Sequence, residues 1–157
     1  MVEKSKEDAI IANALEILES RLRKLSDEVF TEPNDSIKFL KLKLAHLERE
    51  VFAVCFLDNK HRLIHFEEMF KGTVDSSSVY TREVIRKALS LNAVALLVAH
   101  NHPSGDITPS NADEEITRKI KEAASLFGIR LLDHIIVSGA TSTEPYSFAE
   151  SGLLYNY

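Results

Sequence analysis

Residues 93–99 form an uninterrupted apolar run, and the chain passes from it directly into His100-Asn101-His102-Pro103-Ser104-Gly105-Asp106-Ile107-Thr108-Pro109-Ser110-Asn111-Ala112-Asp113. A short apolar run without polar alternation reads as a central strand buried on both faces. This one ends by delivering two imidazoles, a loop punctuated by proline and glycine, and then a carboxylate in the first turn of a helix. That order of residue types is the layout of a metal site, and the rest of the chain must fold so as to cover the strand that carries it.

A second run of the same kind, residues 51–57, follows Glu50 and predicts another strand buried on both faces. Asp58-Asn59-Lys60 supplies a turn, and residues 62–70 return as a more polar strand, making a hairpin that Gly72 ends. Before them, Ile10, Ile11, Ala14, Leu15, Leu18, Leu22, Leu25 and Val29 share one helical stripe, which predicts a long amphipathic helix over residues 4–29. Its stripe must be covered either by its own domain or by the same helix of a second copy. Pro33 ends that segment, and Asn34 or Asp35 caps a second helix from Ser36 to about Leu47, with Ile37, Leu40, Leu44 and Leu47 inward. Residues 76–79 read as a loop, and Val84, Ile85, Ala88 and Leu89 mark a helix from Thr81 to near Asn92. Ser110 caps a further helix over residues 111–127, with Ile116, Ile120, Ala123, Ala124 and Phe127 inward and Gly128 as its stop. Residues 129–137 form a strand, residues 141–146 a polar loop, and residues 147–154 a short closing helix. Strands alternating with helices after an initial hairpin indicate an α/β fold of the α+β kind, a mixed sheet flanked by helices. The expected division is a helical extension over residues 1–33 and one domain over residues 34–157.

Residues i and i+2 of an extended segment point to the same side, so His100 and His102 can converge on one ion. A water-activating zinc takes three protein ligands and keeps one position open, and two histidines with one carboxylate are such a set. Asp113 completes it if the loop folds back, with Gly105 and Pro109 as the turn residues. Two other readings stand beside this one. The histidines can be loop residues satisfied by water and backbone, and Ser110-Asn111-Ala112-Asp113 can be a capping box. The readings of Asp113 compete, because a carboxylate bound to zinc is not free to cap. Hydrolysis would also require a base beside the bound water, and Glu48, Glu50, Glu67 and Glu68 are available. Glu50 stands out at the mouth of the most apolar strand, where desolvation would raise its pKa; the alternative is a strand-edge carboxylate facing water.

The other chemistry-bearing residues have plainer readings. His61 and His65 belong to the hairpin surface, and His134, beside Asp133 in an apolar strand, is a hydrogen-bonding residue rather than a ligand. Phe52, Phe56, Phe66 and Phe70 are core residues, and Lys38, Lys41, Lys43 and Arg49 a solvated basic face. The formal charge of -5 on 157 residues disfavours a surface built to neutralise phosphates. Cys55 is the only cysteine, so neither an intrachain disulfide nor a multi-cysteine zinc site can form. Residues 1–8 are charged and lack the apolar core of roughly 7–15 residues that a signal peptide needs, and no span near about 20 apolar residues occurs. The expectation is a cytoplasmic protein without membrane contact.

At these residues the chain resembles the RadC family, of the JAMM/MPN+ class of zinc metalloproteins. The likeness runs through most of residues 35–154: Glu50-Val51-Phe52 with Phe56-Leu57-Asp58, Gly72-Thr73-Val74, Arg82-Glu83-Val84, the stretch from His100 to Asp113, Asp133-His134-Ile135-Ile136, and Ser147-Phe148-Ala149-Glu150. Histidine-x-histidine followed by serine-x-x-aspartate is the JAMM pattern. The resemblance implies a cytidine-deaminase-like architecture with a mostly antiparallel sheet, and one Zn2+ per chain held by His100, His102 and Asp113. It implies Glu50 as the base that takes a proton from the zinc-activated water, and Ser110 as the donor to the developing oxyanion. The implied chemistry is hydrolysis of a peptide or isopeptide bond in a protein or peptide substrate. A DNA-repair-associated binding protein with structural or vestigial zinc is the alternative. The helix-hairpin-helix region of longer RadC proteins has no counterpart in the first 33 residues, which disfavours nucleic acid as partner. An HNH nuclease is a poor fit, since that pattern disperses residues that are contiguous here.

Overall fold

The computed structural model describes residues 2–24, 33–72, 78–140 and 143–156. Its centre is a pair of antiparallel strands, β1 (Val51–Leu57) and β3 (Ala95–His102), in which every residue but His102 is buried. On one side β1 pairs antiparallel with β2 (Leu63–Lys71). On the other, β3 pairs parallel with β4 (Arg130–Ser138), whose far edge carries the short antiparallel β5 (Tyr146–Ser147). The sheet order is β2-β1-β3-β4-β5, so the mixed, mostly antiparallel sheet expected from the sequence is present.

The period-two alternation of a strand sorts its side chains between two covering layers. Phe52, Val54 and Phe56 of β1, with Leu96 and Val98 of β3, face α3 (Ser78–Ser90) and α4 (Asn111–Ser125), meeting Val84, Ile85, Ala88, Ile116, Ile120 and Ala124. Val51, Ala53, Cys55 and Leu57, with Ala95, Leu97 and Ala99, face the other way, onto Phe39, Leu40 and Leu44 of α2 (Pro33–Leu44). Burying a phenylalanine or leucine fully stabilises by roughly 1.5–3 kcal/mol, so these two layers explain why the central strands tolerate no polar alternation. α1 (Val2–Lys24) lies against α2 and β2. It packs through half-buried Ile11, Ala14, Leu15 and Leu18, while Ile10 and Ile17 remain exposed.

Several boundaries differ from expectation, each for a physical reason. Residues 25–29 of the predicted first helix lie outside the described residues. Pro33 opens α2 instead of only ending the segment before it, because the first helical position needs no backbone N–H. α2 also stops at Leu44, and Leu47 packs on the same cluster from a turn. α3 begins earlier than predicted, at Ser78, and ends at Ser90. α4 ends at Ser125, so the helical period no longer holds at Phe127, which is exposed rather than inward. The predicted closing helix over residues 147–154 is instead β5, a turn and a 3-10 helix at Leu153–Asn156. The half-buried Asp133 carboxylate accepts from the Ser147 hydroxyl and the Ala149 N–H, and Ser147 Oγ accepts from the Glu150 N–H. Those bonds wind the backbone around one side chain, which a regular helix cannot do.

Candidate metal centre

The alternation that sorts the core also sorts the end of β3. His100 and His102 continue the face of Leu96 and Val98, the face that α4 covers, while Asn101 continues the face of Ala99. α4 begins opposite that end, with Asp113 in its first turn. The loop between them folds back as Gly105 and the prolines suggest. Gly105 adopts φ +89°, a conformation that favours glycine, and its N–H donates to the His102 carbonyl. Ser138 at the end of β4 donates to the Gly105 carbonyl, which ties the loop to the sheet.

The result is a tight convergence of donors. His100 Nε2 and His102 Nε2 lie 2.8 Å apart. Asp113 Oδ1 is 3.2 Å from His100 Nε2, and its Oδ2 is 3.4 Å from His102 Nε2. Glu50, in the residue before β1, brings Oε1 to 3.9 Å from His100 Nε2. His100 and Asp113 are buried, whereas the Glu50 side chain is about one-fifth exposed and forms the solvent side of the cluster. Among the described residues these four are the group of histidine, cysteine, aspartate or glutamate whose donor atoms lie within 4.8 Å of one another. The other candidate bases are elsewhere: Glu48 is exposed and pairs with Lys4, and Glu67 pairs with His65 and Lys87.

Hydrogen-bond chains fix which imidazole nitrogens carry protons. His102 Nδ1 lies 2.7 Å from the Asp106 carbonyl, which can only accept, so Nδ1 is protonated and Nε2 keeps its lone pair in the neutral ring. His100 is set by a longer chain. Thr117 Oγ1 donates to the Asp113 carbonyl at 2.6 Å, which leaves the threonine oxygen to accept from His134 Nδ1–H. Burial and then the neighbouring His100 hold His134 well below the ordinary histidine value, so its ring is neutral and its Nε2 accepts from His100 Nδ1–H at 2.7 Å. His100 Nε2 is thereby also a bare lone pair. Two lone pairs facing each other repel, and the place between them calls for a cation.

The charges agree with this. Burial pushes the Asp113 carboxyl up, but the neighbouring His100 and His102 rings and the hydrogen bond from the Ser110 N–H hold it well below the usual carboxylate range. The Asp113 carboxylate beside it raises His102 above the ordinary histidine value, against burial, which lowers it. Two imidazoles, one dependable anion and a nearby second carboxylate suit a divalent ion whose ligands are nitrogen and oxygen. Zinc sits about 2.0–2.1 Å from such nitrogens, so donors 2.8 Å apart lie within the span of a single ion.

The capping box is present as well. Ser110 Oγ accepts from the Asp113 N–H at 3.0 Å, and Asp113 Oδ2 accepts from the Ser110 N–H at 2.8 Å. Ser110 is exposed, and accepting through Oγ leaves its own O–H free to donate outward. His134 acts as expected, as a hydrogen-bonding residue behind His100. Its ring stacks on Phe148 with centroids 4.6 Å apart. His61 and His65 stay outside the cluster, His61 near Arg130 and His65 against Phe56. Two participants were not singled out from the sequence. Thr117 stands one helical turn after Asp113, so its spacing was available as a signal. The side chain of Asn101 reaches the backbone on both sides of Glu50, accepting from Val51 N–H and donating to the Leu47 and Arg49 carbonyls.

Comparison with known proteins gives a consistent result. Residues 29–153 match the description of a RadC-like JAB domain. Two UPF0758 proteins of Vibrio cholerae are 51% and 49% identical over 148 residues, covering 94% of this chain and 90% of each relative. A UPF0758 protein of Thioalkalivibrio sulfidiphilus is 49% identical over 143 residues, 88% of this chain but 62% of the longer relative. No helix among the described residues is long and apolar enough to cross a membrane.

Proposed function

The chain belongs to the RadC-like JAB domain family, and on that footing we propose that it is a zinc-dependent hydrolase of peptide or isopeptide bonds. The observation that carries this reading is the meeting of a solvent-facing carboxylate, Glu50, with two imidazole lone pairs and an ionised Asp113 at the buried end of β3. In this reading His100, His102 and Asp113 hold the ion. When bound, zinc supplies Lewis acidity, polarising the scissile carbonyl and lowering the pKa of water toward roughly 7.

The chain's own residues do the rest. Glu50 takes the proton from the attacking water as its oxygen bonds to the carbonyl carbon, and returns that proton to the nitrogen when the C–N bond breaks. Its partial exposure gives substrate and water a way in, while the burial of His100 and Asp113 keeps the electrostatics strong. Ser110, anchored by its bond from Asp113 N–H, turns its hydroxyl proton toward the negative oxygen that develops.

The test combines metal content with hydrolysis of a panel of fluorogenic peptide and isopeptide substrates. The parent is expected to bind one zinc, and His100→Ala and Asp113→Ala to lose it. Glu50→Gln is expected to keep the metal and lose about 100- to 10,000-fold in rate, the usual contribution of a positioned base. Unchanged zinc in both ligand variants, or undiminished hydrolysis in Glu50→Gln, overturns the reading.

A further inference from the structure

We infer that Asn101, the residue between the two histidines, is the positioning residue for Glu50. The inference rests on the reading of Glu50 as the base and assigns what holds that base in place. Asn101 is fully buried, on the face of the sheet opposite its two neighbours. Its Oδ1 accepts from Val51 N–H at 2.7 Å, and its Nδ2 donates to the Arg49 carbonyl at 2.9 Å and the Leu47 carbonyl at 3.2 Å. One side chain therefore grips the backbone immediately before and immediately after Glu50.

The sheet shows why such a grip is needed. Antiparallel pairing of β1 with β3 ends at Phe52 opposite His100, so beyond it the β3 ladder no longer aligns this edge of the chain, and only the pairing with β2, Val51 opposite Lys71, continues. The Asn101 amide takes over where the ladder stops, and Gly72 N–H holds the Glu50 carbonyl at 2.8 Å from the other side. With both flanking peptides and its own carbonyl bound, the backbone at Glu50 has one orientation, and its carboxylate is aimed at the cluster. The chemistry of the side chain is specific. A carboxamide offers one acceptor and two donors, matching one N–H and two carbonyls. An aspartate would set negative charge against two carbonyls, and alanine would supply nothing. Because Asn101 belongs to the same strand as both imidazoles, one residue fixes the base relative to the ligands. A misplacement of about 1 Å at such a site is enough to cost on the order of a hundredfold in rate.

The experiment compares the parent chain with Asn101→Ala, Asn101→Asp, Glu50→Gln and the double variant Asn101→Ala/Glu50→Gln, each loaded with Co2+. The cobalt absorption spectrum senses hydrogen bonding around the open coordination position, a property that general loosening of the fold does not imitate. Asn101→Ala and Asn101→Asp are expected to bind one cobalt and shift the spectrum in the direction of Glu50→Gln. The double variant is expected to match Glu50→Gln alone. In parallel, the Val51 amide is expected to be protected from hydrogen exchange in the parent and to exchange at least about tenfold faster in Asn101→Ala. A parent-like spectrum in Asn101→Ala beside an altered Glu50→Gln overturns the positioning role and leaves the base assignment standing. A parent-like spectrum in Glu50→Gln overturns the base assignment and the inference with it. If the Asn101 variants fail to fold, exchange in the parent decides: an unprotected Val51 amide overturns the inference, and a protected one supports it.

Discussion

Thr117→Val is the sharpest perturbation of the metal centre that touches none of its donors. Valine keeps the volume of threonine and removes the one hydroxyl that joins His134 Nδ1 to the Asp113 carbonyl. The His134 ring then has two choices, both costly. It can keep its proton on Nδ1 with no acceptor, in a pocket walled by Phe52 and Phe148; a buried unsatisfied donor costs roughly 1–3 kcal/mol. Or it can shift the proton to Nε2, facing His100 Nδ1. That nitrogen must then accept, and the His100 proton moves to Nε2, where it blocks the ion. Both routes charge the cost to metal binding. Loss of a partner behind a metal-bound histidine weakens affinity by about 10- to 100-fold, which is about 1.4–2.7 kcal/mol, within the cost of the orphaned donor. Zinc affinity measured by competition with a chromophoric chelator is expected to fall by that factor in Thr117→Val and to stay within about threefold in Thr117→Ser. Parent-like affinity in Thr117→Val, or equal weakening in Thr117→Ser, refutes the proton assignment.

Burial raises the Asp133 carboxyl, and its bonds from Ser147, Ala149 and His134 only partly oppose this. A carboxyl whose folded pKa lies above its unfolded value of about 3.9 contributes stability below that value and loses it as pH rises through the folded one. The stability of the parent relative to Asp133→Asn, read from urea unfolding, is therefore expected to decline from about pH 4 upward, and a constant difference refutes it. Burial pushes the Cys55 thiol far up, with Lys43 opposing, so a thiol reagent is expected to label Cys55 only as fast as the protein unfolds. Labelling of the folded protein at the rate of a free thiol contradicts the packing of β1.

What could be read from the chain followed from short-range periodicity. Two unbroken apolar runs announce the central strands, and the i, i+2 relation of His100 and His102 holds because strand geometry is local. The misplacements also have local causes. Extending the helical period past Ser125 places Phe127 inward, but α4 ends there and Phe127 is exposed. Pro33 in sequence reads as a terminator, although a first helical turn accepts it and α2 begins there. The grip of Asn101 on the backbone around Glu50 spans fifty residues and leaves no periodic trace. Its one local sign is a buried carboxamide in a strand where an apolar residue would be expected, and such a residue demands a complete set of partners. Thr117 carries a fainter sign of the same kind, a hydroxyl on the inward stripe between Ile116 and Ile120.

Asp113 shows how two readings that compete in sequence become one arrangement in space. A carboxylate has two oxygens and about four acceptor sites. The cap uses one site on Oδ2, for the Ser110 N–H, and Oδ1 remains directed at His100. The cap does more than coexist with binding. It holds the side chain in a single orientation before any ion arrives, and the start of α4 places partial positive charge beside it. Free to rotate, the same carboxylate would have to be ordered by the metal, at the cost of side-chain entropy. Under the proposed reading, the helix start therefore aims the ligand as Asn101 aims the base, and both restraints act through backbone groups.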